Sequence, residues 1–379
     1  MVAQLEPAAM VMRRVTTVGT LLACAIAAHT AFNLSKLRKP NPQVPPLDEF
    51  VSVLIPARDE AVAIGKSVAS ALAQAGVPNM EVLVLDDFST DDTAKIVNAV
   101  HDPRLRLVPN PKEPPAGWLG KPWACAQLAE IAQGSVFVYI DADVELSADA
   151  VRASVRAMRA QNFAMVSPYP RQLTSNWLGH LTQPLLSWSW CALLPLGWSE
   201  QSGRTSLAAA NGQFLVIDAD AYRSVNGHNS VCAEVIEDVA LMRAFKKAGW
   251  TTCTMDGSAI ASCEMYVSAE QTANGYAKSL WAAFGGPIGS IGVTSLLFVA
   301  FIAPPLAAIG ARSKRVRAVG ALGYAAGVVS RALVARRMST RIWPDSAMQP
   351  ASVGAFIAIN ALSWRRHQLG VNSWKGRTV

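Results

Sequence analysis

The sequence predicts an α/β domain built on a parallel sheet, flanked on both sides by membrane-spanning helices. Three observations carry that prediction. Four stretches, "FVSVLIP", "EVLVLDD", "LRLVP" and "VFVYIDAD", are near-continuous in apolar residues and alternate with segments of helical composition. That is the pattern of strands buried on both faces and joined by crossover helices. Long runs without charge lie before residue 35 and after residue 286. Of the 379 residues, 51% are hydrophobic and 16% charged, and the mean hydropathy is positive, too apolar for a wholly soluble chain.

Residues 15–34 lack Asp, Glu, Lys and Arg, with Arg13 and Arg14 before them and Lys36, Arg38 and Lys39 behind. Twenty residues of helix reach about 30 Å, the thickness of a bilayer core. A cleaved signal peptide is the competing reading; the length of the run and the basic stretch after it favour an uncleaved anchor. With the proline-rich linker "KPNPQVPP", residues 1–46 are read as anchor and linker.

Residues 47–286 carry the α/β pattern. Strand "FVSVLIP" precedes a helix over 60–75, strand "EVLVLDD" a helix over 90–99, and strand "LRLVP" a helix over 123–132; "VFVYIDAD" closes the series. Ligands of such sheets gather beyond the carboxyl ends of the strands. Two acid pairs fall there, Asp86-Asp87 and Asp141 with Asp143. Residues 287–379 return to apolar runs at 287–310, 319–334 and 346–363, followed by a basic tail. The middle run is marginal as a span, and 287–310 can re-enter at Pro304-Pro305, so the topology stays open.

The net charge of +7 comes from clusters beside these runs, such as Arg312 to Arg317, Arg336-Arg337 and Arg365-Arg366. That placement suits membrane flanks rather than nucleic acid. Six scattered cysteines without a CxxC pair argue against a zinc site or disulfide framework and suit a reducing cytoplasm.

Two carboxylates two positions apart at a strand end are oxygen ligands for Mg²⁺ or Mn²⁺, although turns use Asp freely. Glu237-Asp238 opens the amphipathic stretch "EDVALMRAFKKAGW", either as helix capping or as a proton acceptor. Lys121 stands in the loop "GWLGKPWA", solvated or facing a diphosphate.

Together, "VSVLIPARDE", "VLVLDDFSTDDT", "GWLGKPWA", "IDADVEL", "NGQFLVIDADAY" and "VIEDVALMRAFKKAGW" resemble glycosyltransferase family 2. The likeness extends to its membrane-anchored members that glycosylate polyisoprenoid lipids, of hopene-associated and carotenoid (diaponeurosporenoate) type. It covers roughly residues 50–285. It implies a GT-A fold and inverting, metal-dependent transfer of a hexose from a UDP-sugar donor. By the same resemblance Pro56, Arg58, Glu60 and Asp86 or Asp87 border the nucleotide, and Lys121 neighbours its phosphates. Asp141 and Asp143 hold the metal, with Asp143 the direct ligand. Asp238 is the general base and Glu237 its neighbour.

Processive members carry Q-x-x-R-W near the membrane; "QTANGYAKSLWAAFGG" stands there instead, which argues for single transfer. Lys278 is a candidate phosphate contact or a snorkelling lysine. Residues 176–199 contain no charge and four tryptophans. They read as an interfacial segment with Trp188 and Trp190 contacting the acceptor, or as a buried helix. The expected acceptor is a membrane isoprenoid lipid; polyprenyl phosphate, diacylglycerol or a non-catalytic scaffold are the alternatives. The expected location is the cell membrane, multi-pass, with the catalytic domain cytoplasmic.

Overall fold

The computed structural model describes residues 5–378 and divides the chain into two compact units, each drawn from separate stretches. One unit takes residues up to Lys36, Thr174–Leu194 and Tyr266–Asn372; the other takes Leu37–Leu173, Pro195–Met265 and residues from 373 onward.

In chain order the elements begin α1 (Leu5–Lys36), β1 (Val51–Ala57), α2 (Ile64–Leu72), β2 (Met80–Asp86), α3 (Thr93–Asn98), β3 (Leu105–Pro109), α4 (Gly120–Ile131) and β4 (Val136–Ile140). Next come β5 (Val144–Leu146), α5 (Ala150–Ala160), β6 (Met165–Tyr169), β7 (Arg171–Gln172), α6 (Trp177–Leu193), α7 (Leu196–Gln201), β8 (Phe214–Asp218) and α8 (Ala219–Ser224). They end with α9 (Glu237–Lys247), β9 (Thr252–Asp256), β10 (Ala261–Cys263), α10 (Ala269–Ala277), α11 (Pro287–Phe301), α12 (Ala303–Gly310), α13 (Lys314–Arg337), α14 (Gln349–Gln368), β11 (Ser373–Trp374) and β12 (Arg377–Thr378).

The α/β unit is built on a seven-stranded sheet of order β3-β2-β1-β4-β8-β6-β9. Strand side chains alternate between two buried faces. Val51, Val53 and Ile55 join a core with Val68 of α2 and Val151 of α5. Leu54, Phe137 and Leu215 join another with Leu128 of α4 and Leu241 of α9. This double burial is why the strands read as unbroken apolar runs.

The parallel expectation holds for β1 to β4 and fails at β8, which runs antiparallel to both β4 and β6. The chain leaves β6 at the carboxyl edge of the sheet and re-enters at that edge through Asn211, so β8 must run back. The reversal brings Gly212 and Gln213 to the edge where Asp141 stands, and the Asp141 N–H donates to the Gln213 carbonyl at 3.2 Å. A smaller sheet of order β5-β10-β7 lies beyond.

The helical unit contains α1, α6 and α10 to α14. Among the described residues, three helical stretches of this unit are long and apolar enough to cross a membrane: Ala9–Lys36, Pro287–Gly310 and Lys314–Arg337. The second is broken into α11 and α12 at Ile302, just before Pro304-Pro305. The run at 319–334 lies inside a 24-residue helix because its basic ends continue the turns. Residues 346–363, read as a third C-terminal span, fall largely in α14, which is not among those helices. The buried Gln349 and Asn360 and the Arg365-Arg366 pair lower its apolar character.

Small residues let these helices approach closely. A Cβ on Gly19 would stand 2.0 Å from the Val299 carbonyl oxygen, and one on Gly323 2.6 Å from Thr20 Oγ1. Polar contacts cross the bundle as well: Thr20 Oγ1 donates to the Val319 carbonyl at 2.9 Å, and the Trp188 indole donates to Ser330 Oγ at 2.8 Å. Arg331, inside an apolar run, is buried and donates to Gln349 Oε1 at 2.8 Å.

Candidate active site

The carboxyl edge of the large sheet collects the acids singled out in the sequence. β4 ends at Ile140, and the chain turns through Asp141 and Asp143 about the buried Ala142. α4 begins at Gly120, three residues ahead of the expected start, which puts Lys121 in its first turn. Its ammonium lies 2.7 Å from Asp141 Oδ1 and 2.9 Å from Glu237 Oε1. Burial works against that charge, but the two carboxylates outweigh it and hold Lys121 well above its ordinary pKa. Burial likewise pushes Glu237 up, and the charge and hydrogen bond of Lys121 overcome it, leaving the carboxyl below its usual range.

Asp238, in the first turn of α9, is held by backbone donors. Its Oδ2 accepts the Gly212 N–H at 2.5 Å and its Oδ1 the Val239 N–H at 2.8 Å. Burial, reinforced by the neighbouring Glu237 charge, lifts its carboxyl to about 7. A Cβ on Gly212 would lie 3.1 Å from Lys121 Nζ and 3.3 Å from Glu237 Oε1, so this glycine leaves the room in which the lysine and the two acids meet.

Asp143 is supported from the smaller sheet. β10 pairs Cys263 with Val144, and the Cys263 thiol hydrogen-bonds the Asp143 carboxylate. Oδ1 of Asp143 is buried and has no hydrogen-bond partner among the described residues. Burial first, then the charges of Asp141 and Glu60, raise this carboxyl to about 7. Two acids poised near neutrality beside a locked Lys121–Glu237 pair suit proton transfer.

The ends of β1 and β2 supply the remaining predicted residues. Pro56 lies within β1 beside Leu85, and Ala57 is in register with Asp86. Arg58 Nη1 donates to the Asp87 carbonyl at 2.8 Å. The two acids left open in the sequence differ: Asp86 Oδ1 accepts the Ser89 N–H at 3.3 Å, whereas the buried Asp87 accepts from Asn110 Nδ2 at 2.6 Å. Glu60, raised chiefly by burial, pairs with Lys375, and Asp87 pairs with Arg377.

Lys278, Trp188 and Trp190 belong to the helical unit. Trp188 is 1% exposed, edge-on to Phe301 at 5.2 Å, and Trp190 is buried too. In residues 176–199 the exposed tryptophans are Trp177 and Trp198, so the interfacial character expected of the segment rests on those two. Asn110, Cys263, Lys375 and Arg377 escaped the sequence reading. Gly212 lies in the quoted stretch "NGQFLVIDADAY", two residues before β8, but its contact with Asp238 could not be read there.

Residues 52–222 match the model of Glycosyl transferase family 2. A 4,4'-diaponeurosporenoate glycosyltransferase of Staphylococcus haemolyticus is 26% identical over 243 residues, which is 61% of this chain and 61% of that protein. The protein of the same name from Staphylococcus aureus (strain USA300) is 26% identical over 335 residues, 86% of this chain and 87% of its own. Among solved structures the fold is similar to the mannosyltransferase PcManGT from Pyrobaculum calidifontis in complex with GDP-Man and Mn2+. That match has a TM-score of 0.55 at 14% identity and covers 96% of this chain and 100% of that one. With this motif order, sheet and kinship, the chain carries a glycosyltransferase family 2 domain over residues 52–222 and is a glycosyltransferase of the GT-A fold.

Proposed function

We propose that the protein transfers one hexose from a UDP-sugar to a membrane isoprenoid lipid, with inversion, at the cytoplasmic face of the membrane. The observation that carries this reading is the convergence of Lys121, Asp141, Glu237 and Asp238, with Lys121 bridging the first acid to the second. In this scheme the donor diphosphate lies beside Lys121. Asp238 accepts the proton of the acceptor hydroxyl as its oxygen bonds to the sugar carbon and the bond to UDP breaks. No covalent intermediate on the enzyme is needed. Glu237, kept anionic by Lys121, raises the basicity of Asp238.

Asp141 and Asp143 fit a divalent cation in one respect and limit it in another. The orphaned Asp143 Oδ1 offers a free ligand oxygen, yet no group of three or more His, Cys, Asp or Glu able to hold a metal occurs among the described residues. Two carboxylates suit Mg²⁺ or Mn²⁺, which take further ligands from water and substrate phosphates. Bound there, the cation would offset charge gathering on the departing diphosphate.

The isoprenoid acceptor is supported by the relatives named for diaponeurosporenoate and by three helices suited to a bilayer. Orientation follows from Lys36, Arg38 and Lys39 behind α1 and from the cytoplasmic origin of nucleotide sugars. The test is incubation of membranes bearing the protein with labelled UDP-hexose and isoprenoid alcohols or acids, read by mass spectrometry. Products carrying one added hexose are expected. A long polymer, or exclusive transfer to polyprenyl phosphate or diacylglycerol, would overturn the reading.

A further inference from the structure

The hairpin of β11 and β12 has no part in the chemistry above, yet it enters the same crevice. Its two-residue turn, Lys375-Gly376, has φ of 47° and 79°, the left-handed pair of a type I′ hairpin, with Lys375 at the tip. Lys375 Nζ pairs with Glu60 and donates to the Arg58 carbonyl at 2.6 Å. In return, Arg58 Nε donates to the Lys375 carbonyl at 3.1 Å. Arg377 pairs with Asp87 through Nη1, reaches its Oδ1 through Nη2 at 3.3 Å, and holds Glu113 at 2.5 Å. A Cβ on Gly120 would stand 2.6 Å from Arg377 Nη1. The guanidinium therefore lies against the start of α4, the helix that carries Lys121.

The hairpin thus fills the ground between the ends of β1 and β2 and the start of α4. In open α/β sheets that ground receives the ligand. Asp87 has both oxygens engaged, one by Asn110 and Arg377 and the other by Arg377 alone. A base N–H reaching for this carboxylate therefore competes with Arg377, which holds Oδ2 and shares Oδ1.

We propose that residues 373–377 form an intramolecular strap that competes with the nucleotide half of the donor for Asp87 and Glu60. The inference rests on the donor site proposed above. Donor binding then requires the strap-open state, and its apparent affinity falls by the fraction of molecules in that state. Two partly buried ion pairs correspond to an open population of about one tenth.

The experiment measures UDP binding in the presence of Mn²⁺ for the full chain, a chain ending at Asn372, and the full-length K375Q/R377Q variant. Both altered proteins are expected to bind UDP roughly tenfold more tightly than the full chain. In the unaltered protein, UDP should accelerate tryptic cleavage after Lys375 and Arg377. If the shortened chain fails to fold, the double variant decides. Equal or weaker binding in the altered proteins would overturn the strap and leave the donor site standing. Binding of neither UDP nor GDP, CDP or ADP to any of the three would overturn the donor site, and the strap with it.

Discussion

Replacing Asp238 with Asn should stabilise the protein at mildly alkaline pH while removing the proposed base. An aspartate that ionises at 3.8 in the ordinary case titrates at about 7 here. The folded state therefore holds this proton more tightly than the unfolded chain does. Ionising the group in place costs about 1.4 kcal/mol per unit of difference, roughly 4 kcal/mol in all. Below about pH 4 the group is protonated in both states and the penalty is absent; it grows as pH rises toward 7 and is complete above it. Asparagine never meets it. Against that gain, the amide offers one oxygen where the carboxylate offers two, so the Gly212 or Val239 N–H loses its acceptor, at about 1–2 kcal/mol. The neighbouring Glu237 shares in the titration and trims the gain further. A net stabilisation of about 1–3 kcal/mol is expected at pH 8, vanishing or reversing toward pH 4. Thermal unfolding of the detergent-purified protein, followed by tryptophan fluorescence across that range, reads it directly. A variant with a lower Tm than wild type at pH 8, or a gap that ignores pH, would refute the claim that the fold bears a buried charge at this position.

In the proposed mechanism the same group sets the activity profile. With a hydroxyl acceptor, kcat/KM should fall as pH drops below about 7, because protonated Asp238 cannot accept the acceptor's proton; a rate level down to pH 5 would contradict this. Asp238→Asn should cost about 10²–10⁴-fold in kcat with an alcohol acceptor and much less with a carboxylic acid, which has already lost its proton at pH 7. Lys121→Met leaves Asp141 and the buried Glu237 without their shared cation and should destabilise by about 1–3 kcal/mol, less than a fully buried pair because the lysine is partly open to solvent. The loss should ease as pH falls and Glu237 protonates, so an unchanged Tm would show that the bridge carries no weight. In the helical unit, Gly19→Leu should lower Tm sharply, since even a Cβ there meets the Val299 oxygen at 2.0 Å; wild-type stability would sink that packing.

What could be read in the sequence was whatever burial writes into composition. β1, β2 and β4 are largely buried on both faces, so their existence and ends were legible, and with them the positions of Asp86, Asp87, Asp141 and Asp143; β3, half-exposed at the edge of the sheet, showed itself by its apolar residues alone. Strand direction leaves no such trace, and β8 looked like any other core strand although it runs backward. The start of α4 had a sign that went unused. Pro122 fits the first turn of a helix, where no intrahelical N–H bond is lost, and this draws Lys121 into the helix. Asp238 was legible as an acid at a helix start, but its perturbation depends on Gly212 and Glu237, and the Gly212 contact exists only after β8 has folded back. Arg331 was hidden by its apolar neighbours, because a charge satisfied inside a bundle is invisible to a hydropathy run. The pairing of Arg377 with Asp87 joins residues 290 positions apart. Local pattern assigned that tail to a membrane flank, and nothing nearer in sequence pointed elsewhere.

The most direct measurement of the donor site is calorimetric titration of UDP with and without Mn²⁺ into wild type, Asp143→Ala and Asp238→Asn. Wild type and Asp238→Asn should bind UDP in a Mn²⁺-dependent manner with similar affinity, while Asp143→Ala should lose the Mn²⁺-dependent part. UDP binding indifferent to both Mn²⁺ and Asp143, or lost with Asp238, would contradict the assignment of these acids to cation and base.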